Sequence, residues 1–176
     1  APPHSPRWSP KGRLLAFAHT SEGNADIYTI TPEGGMIRRL TWEPSREETP
    51  SWSRDGRWLY FSSNRSGTFE IWKLVIDQPA QVLQVTYGGG TNPHESADGK
   101  ELFYTKGGPA NLEIWRRPVN GDEESRVLGP IHAAPPGAWV PDPDGIYYIE
   151  PAWRIAYYRF ATGATRTIVP LPQDAV

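Results

Sequence analysis

The chain lacks cysteine altogether and has a single methionine in 176 residues. Without cysteine there is no disulfide framework, no thiolate metal site and no cysteine nucleophile, and neither redox compartment is excluded. An excess of charge of one sign is also missing: 18 Lys and Arg stand against 20 Asp and Glu, for a net charge of −2. No basic field is left to attract nucleic acid or anionic lipid. No apolar run is long enough to span a bilayer, so neither direct nucleic-acid binding nor membrane insertion is expected. Helical periodicity is absent as well. What the chain has is 8 Trp, 8 Tyr and 5 Phe, with 17 Gly and 19 Pro. Aromatic residues suit pleated, half-buried surfaces, while Gly and Pro punctuate turns and break helices. The mixture points to many short strands. The chain opens on Ala1-Pro2-Pro3 with no initiating Met and no signal-peptide pattern, as expected of a piece of a longer protein.

An internal repeat organises the rest. Pro6-Arg7-Trp8-Ser9-Pro10-Lys11-Gly12 returns as Pro50-Ser51-Trp52-Ser53-Arg54-Asp55-Gly56 and, altered, as Pro93-His94-Glu95-Ser96-Ala97-Asp98-Gly99. The final glycines stand 44 and 43 residues apart. A second landmark keeps the same beat: Ile27-Tyr28, Ile71-Trp72, Ile114-Trp115 and Tyr157-Tyr158, at steps of 44, 43 and 43. The fourth copy keeps the length through Trp139, but Val140-Pro141-Asp142-Pro143-Asp144-Gly145 reads as a reshaped turn on the same frame.

Each unit reads as four strands. The first is centred on Trp8, Trp52, Glu95 or Trp139. The second covers Leu14 to Ala18, Trp58 to Ser62, Glu101 to Thr105 or Ile146 to Ile149. The third carries the isoleucine–aromatic pair. A turn at Gly34-Gly35, Pro79, Gly121 or Gly163 leads to the fourth, at Arg38 to Thr41, Val82 to Thr86, Arg126 to Leu128 or Arg166 to Val169. A four-stranded repeat of about 40–45 residues is the signature of a β-propeller blade. The expected fold is therefore all-β: four four-stranded antiparallel blades, at approximately 4–46, 47–90, 91–133 and 134–170, in a single propeller region. Stacking would bury Trp52, Phe61, Ile71 and Trp72 between blades, since one sheet cannot cover both its faces.

The run Pro50-Ser51-Trp52-Ser53-Arg54-Asp55-Gly56, then Ser63-Asn64-Arg65-Ser66-Gly67, Ile71-Trp72 and Val85-Thr86, resembles the TolB-type WD40-like repeat, PD40. The resemblance covers nearly the whole chain. Within it, the third repeat and the Asp144 to Tyr148 run are most similar to the sensor propeller of bacterial winged-helix transcriptional regulators. Lys11 departs from the turn Asp, Arg54 from the second Pro, and Glu95 from the Trp. The resemblance implies a periplasmic setting, with a cytoplasmic one as the alternative. Such propellers usually close with six or more blades. Four blades imply either a fragment or copies that associate edge to edge, as a homo-oligomer completing the propeller.

No Gly-x-Ser-x-Gly elbow and no phosphate-binding glycine loop is present; Gly88-Gly89-Gly90 reads as a flexible connection between blades. His4, His19, His94 and His132 have no metal-pair spacing, and neither a metal nor a cofactor is expected. Asp26, Glu70 and Glu113 recur at one repeat position. That recurrence fits a structural acceptor of backbone N–H groups better than a metal-binding ring. Glu95 stands where the other repeats have Trp: the structural reading is an ion pair, or a first strand shifted outward in a degenerate blade, and the functional one is a polar channel site shared with His94. Arg38-Arg39 and Arg116-Arg117 are isolated pairs, too small for a nucleic-acid patch. These readings favour a non-catalytic recognition or sensor scaffold. Its protein or small-molecule partner would meet the face carrying the loops before the first strands, with His4, Arg7, Glu47, Glu48, Asn92, His94 and Glu95 as candidate contacts. The competing class is the propeller of a prolyl-oligopeptidase-like peptidase or of a PD40-type lyase.

Overall fold

The computed structural model describes residues 2–21, 23–108, 111–131, 138–150 and 154–170. His132 and residues 171–176 lie outside the described residues. Among the described residues there are strands and no helix, and hence no helix long and apolar enough to cross a membrane. The first sheet holds β1 (His4–Trp8), β2 (Leu15–Ser21), β3 (Asn24–Ile30) and β4 (Arg38–Arg39). The second holds β5 (Glu47–Trp52), β6 (Trp58–Ser63), β7 (Glu70–Val75) and β8 (Gln78–Gln84). The third holds β9 (Thr91–Glu95), β10 (Glu101–Lys106), β11 (Leu112–Pro118) and β12 (Ser125–Ile131). The fourth holds β13 (Trp139–Asp142), β14 (Gly145–Glu150), β15 (Arg154–Arg159) and β16 (Ala164–Pro170). In every sheet the strands follow in sequence order. Four antiparallel four-stranded sheets are thus the all-β blades expected from the repeat. The chain forms two compact units, residues 1–95 with β1 to β9 and residues 96–176 with β10 to β16.

The turn after each first strand explains the motif. Ser53 accepts the Trp58 N–H on Oγ at 2.9 Å, and its carbonyl accepts the Gly56 N–H at 2.9 Å. Its hydroxyl donates to Asp55 Oδ1 at 2.6 Å, and the same oxygen accepts the Arg57 N–H at 2.9 Å. Gly56 turns at φ 74°, in the region that costs glycine least. Ser96, Asp98 and Gly99 repeat the arrangement. Where Lys11 replaces the acid, Ser9 Oγ still accepts the Arg13 and Leu14 N–H groups, at 3.1 and 3.0 Å. In the fourth sheet the turn shrinks to Pro143-Asp144, with Asp142 paired directly to Gly145. A Cβ on Gly145 would lie 2.1 Å from the Tyr158 carbonyl oxygen, so no side chain fits there.

Several boundaries differ from the sequence reading: β4 stops at Arg39, β8 runs from Gln78 to Gln84, and β13 begins on Trp139 instead of being centred on it. The first strands are not centred on Trp8, Trp52 and Glu95 but end on them, because the serine that follows already belongs to the turn. Pro79 lies inside β8, and the turn before it is Ile76-Asp77.

Packing follows the strand alternation. In the first unit, Trp52, Leu59, Phe61 and Leu74 of the second sheet form one buried cluster with Ala16, Ala18, Ile27 and Leu40 of the first. Phe61 and Ile71 are fully buried, whereas Trp72 packs against the cluster with part of its ring exposed. In the second unit, Trp139, Ile146 and Tyr148 of the fourth sheet meet Phe103 and Ile114 of the third. Trp8, at the position of Trp52, is 56% exposed instead of buried.

Candidate functional site

In the first unit, β5 packs between β1 and β9. Each of these inner strands carries a left-handed residue immediately before a proline: Ser5 at φ 54°, Thr49 at 50° and Asn92 at 54°. Their spacing of 44 and 43 residues is that of the repeat. The strand register shifts at the first two, between His4 and Arg7 and between Glu48 and Ser51. A β-bulge of this kind re-aims the neighbouring side chains. For a β-branched threonine the conformation is a genuine outlier, costing about 1–3 kcal/mol where it occurs. Ser62 on β6 holds two of the three in place. Its Oγ lies 2.6 Å from Thr49 Oγ1 and accepts the Asn92 N–H at 3.1 Å.

The seven candidate side chains fall into two groups. His4 is exposed at the start of β1, with Nδ1 3.0 Å from the Ala18 carbonyl oxygen. Arg7 is half-buried, donates from Nη1 to the Pro6 carbonyl at 3.1 Å, and makes no ion pair among the described residues. Burial lowers its guanidinium from the usual value. His94 Nε2 is shielded from solvent; burial first, and then the Arg7 charge, lower its imidazole to about 3, so the ring is neutral. Glu48 is half-buried and pairs with Arg46. Asn92 is buried, and its Nδ2 has no hydrogen-bond acceptor among the described residues.

Glu47 and Glu95 have structural partners. Glu47, expected on an accessible loop, is fully buried. Its Oε1 accepts from Ser45 Oγ and Ser63 Oγ, both at 2.7 Å, and lies 3.1 Å from Arg65 Nη2. A buried carboxylate is expensive unless paired, and Arg65 is fixed for the task. Its guanidinium stacks over Phe61 and Trp72, 5.5 and 5.0 Å from their centroids, and its Nε donates to Ser63 Oγ at 3.1 Å. Glu47 is therefore corrected from a surface contact to a buried anchor. Glu95 accepts from Tyr60 Oη at 3.0 Å and from the Arg54 N–H, both on the second sheet. Burial raises its carboxyl above the usual range, and those two hydrogen bonds oppose the rise. Of its two sequence readings, the structural one describes its bonds, although its partners are a phenol and a backbone amide and not a cation.

The recurrent acids latch the third strand to the segment after the fourth. Asp26 accepts from Thr41 Oγ1 at 3.1 Å and pairs with Arg39 at 2.6 Å. Burial raises the Asp26 carboxyl and the Glu47 charge adds to this, against the pull of Thr41 and Arg39. Glu70 accepts from Thr86 Oγ1 at 2.6 Å and from the Gly89 N–H at 2.9 Å. Gly88-Gly89-Gly90 is thus a held segment, not a flexible connection: Gly90 is buried and donates to the Phe69 carbonyl at 2.9 Å. Glu113 instead takes Trp115 Nε1 and Arg126. Among the described residues no group of three or more His, Asp or Glu side chains is placed to hold a metal.

Sequence reasoning did not single out Ser5, Thr49, Ser62 or Arg65. The signal for the first two was present, since a small polar residue precedes proline at the repeat spacing in Ser5-Pro6, Thr49-Pro50 and Asn92-Pro93. At the other end of the same strands, a groove of about 260 Å³ is lined by Lys11, Arg13, Trp52, Asp55 and Asp77 among others. It contains no candidate residue.

The family model described as PD40, TolB beta propeller domain, matches residues 3–165. The Tol-Pal system protein TolB of Syntrophus aciditrophicus (strain SB) is 44% identical over 36 residues, 20% of this chain and 8% of that protein. The crystal structure of TolB from Acinetobacter baumannii superposes with a TM-score of 0.76 at 20% identity, covering 98% of this chain and 45% of that one. A puromycin-hydrolyzing peptidase of Mycobacterium tuberculosis gives a TM-score of 0.72 at 16% identity, covering 99% of this chain and 30% of that one. The chain therefore spans less than half the length of each of these proteins.

Proposed function

Because this chain belongs to the TolB β-propeller (PD40) family, we propose that it is a non-catalytic recognition scaffold, part of a larger TolB-like protein. It holds a protein or small-molecule ligand at the ends of β1, β5 and β9 that carry the left-handed residues. One observation carries the reading: three left-handed residues, Ser5, Thr49 and Asn92, recur at one repeat position on adjacent inner strands. Backbone strain persists where a structure has a use for it, and binding sites are where it clusters. Beside that row, Arg7 offers a guanidinium with no acidic partner among the described residues, and His4 and Glu48 flank it. Glu47, buried and paired with Arg65, anchors the start of β5 beside them.

The Syntrophus relative is described as a Tol-Pal system protein, which makes Pal the first protein to test. Calorimetric titration of this chain with soluble Pal is expected to show binding. Alanine at His4, Arg7 or Glu48 should weaken that binding while leaving the melting temperature unchanged. No binding sinks the Pal form of the reading; binding indifferent to all three substitutions sinks the assignment of this face.

The likeness to the mycobacterial peptidase favours a second reading, in which the blades gate access to a hydrolase domain on the same polypeptide. The coding sequence that adjoins this segment distinguishes the two: a hydrolase domain there supports the gate.

A further inference from the structure

The groove between the first two sheets holds charges of both signs that do not meet. Its cations, Lys11 and Arg13, come from the turn between β1 and β2. Its acids, Asp55 and Asp77, come from the β5–β6 and β7–β8 turns. All four side chains belong to exposed residues, and none of them enters an ion pair among the described residues. Hydrogen bonds from the Ser53 hydroxyl and the Arg57 N–H hold the Asp55 carboxyl below the usual carboxylate range. The lining also includes Leu14, Trp52 and Ile76, which pack together in the core cluster of the first unit. Trp52 is 7% exposed, and its indole Nε1–H donates to the Arg7 carbonyl oxygen at 3.0 Å, which ties the second sheet to the first. The apolar part of the groove is therefore fixed in place.

Lys11 reverses the charge that the repeat puts at this place. Asp55 and Asp98 stand there in the second and third repeats, and each accepts the turn serine's hydroxyl and the N–H two residues on. Lys11 gives up both bonds, and its turn keeps only the contacts of Ser9. An ammonium thus lines the groove where a carboxylate would have been. The corresponding groove of the second unit shows the contrast. Asp98, Glu101 and Asp142 line it, and Arg116, which lines it too, is paired with Glu101 at 3.3 Å. In the first groove neither sign is consumed by the other. Opposite charges that line one groove of about 260 Å³ without pairing leave a gap that a molecule carrying both charges can bridge, while the apolar lining takes its body.

We propose that this groove binds a free α-amino acid with an apolar side chain. Lys11 and Arg13 take its carboxylate, Asp55 and Asp77 its ammonium, and Leu14, Trp52 and Ile76 its side chain. The site lies at the opposite end of β1 and β5 from Ser5 and Thr49, so it stands or falls independently of the recognition face there. Each contact to an exposed charge is weak and screened by salt. Both charges of the ligand are therefore needed, and a molecule that has lost either one binds less tightly.

Titration of the isotope-labelled chain with L-leucine, followed by NMR, tests this. Saturable shifts are expected at Lys11, Gly12, Arg13, Asp55, Gly56 and Asp77. Leucinamide, which lacks the carboxylate, and N-acetylleucine, which lacks the ammonium, should each bind about three- to tenfold more weakly at low salt. Lys11→Asp restores the turn acid of the other repeats. It should hold or raise the melting temperature while weakening leucine by at least as much as loss of the carboxylate does. Asp77→Asn should weaken leucine and leave N-acetylleucine unchanged. The proposal is overturned if leucine gives no saturable shift up to its solubility limit, or if the shifts lie elsewhere on the chain. Equal affinities for the three ligands overturn it too, as does a Lys11→Asp variant that binds leucine like the wild type.

Discussion

Thr86 Oγ1 donates to Glu70 Oε2 at 2.6 Å and accepts the Ile71 N–H at 2.8 Å. One hydroxyl thus satisfies a buried carboxylate oxygen and a buried backbone donor, and it stops β7 and the segment after β8 from parting. Thr41 does the same between Asp26 and Ile27. The closing Leu-Thr and Val-Thr pairs of the repeat are where these latches lie.

Thr86→Val keeps the shape and removes both hydrogen bonds. The loss expected is about 2–4 kcal/mol, because two buried polar groups are left without partners. Urea unfolding of wild type and variant measures it. Thr86→Ser should recover most of the loss, and a Val variant as stable as wild type would show that the latch contributes nothing.

Arg65→Met removes the cation facing the fully buried Glu47. Breaking a buried pair from one side costs about 3–5 kcal/mol. Adding Glu47→Gln to Arg65→Met should return part of that stability, because the uncompensated charge is gone. A double-mutant cycle in urea reads the coupling directly, and strict additivity would mean that the two side chains act independently.

His94 is neutral in the fold, with its pKa lowered to about 3 by burial and by Arg7. Its folded value lies below the unfolded value of 6.5. The stability it contributes is therefore fully present above 6.5 and is lost as pH falls toward 3. Arg7→Gln should move the imidazole titration upward without returning it to 6.5, since burial remains. NMR titration of the His94 ring gives the value, and an unchanged titration in Arg7→Gln would separate the two residues.

Glu95 has the opposite sign. Burial raises its folded pKa above the ordinary 4.5. Its contribution is fully present below 4.5 and is lost as pH rises through the folded value. The stability difference between wild type and Glu95→Gln should therefore change across the range just above 4.5, to the disadvantage of the wild type. Urea unfolding at a series of pH values measures the difference, and a constant offset would contradict the raised pKa.

Most of the blade architecture was legible because it is local. Strand alternation, the turn glycines and a strict beat of 43 and 44 residues are written in the chain, and the second and third strands lie where the repeat placed them. The first strands of the first three sheets were misplaced toward their C-terminal ends. Their limit is set by Ser9, Ser53 and Ser96, whose carbonyl and hydroxyl oxygens start the turn one residue after the landmark. Pro79 was read as turn punctuation but stands within the outer strand β8, where an edge tolerates a residue with no N–H to donate.

The candidate site was less legible because burial depends on residues far apart in sequence. Glu47 and Glu48 look alike as neighbours. Only the fold shows that Glu47 turns inward to Ser63 and to an Arg65 stacked on Phe61 and Trp72, while Glu48 stays at the surface with Arg46. Trp8 and Trp52 share a motif, and whether each is buried depends on what lies against it. The sequence by itself determined the repeat, the turn chemistry and the positions of the acids. The tertiary structure alone decided which acids are anchors, which backbone positions are left-handed, and which tryptophan is buried, because each depends on the adjacent sheet supplying a donor, an acceptor or an apolar face.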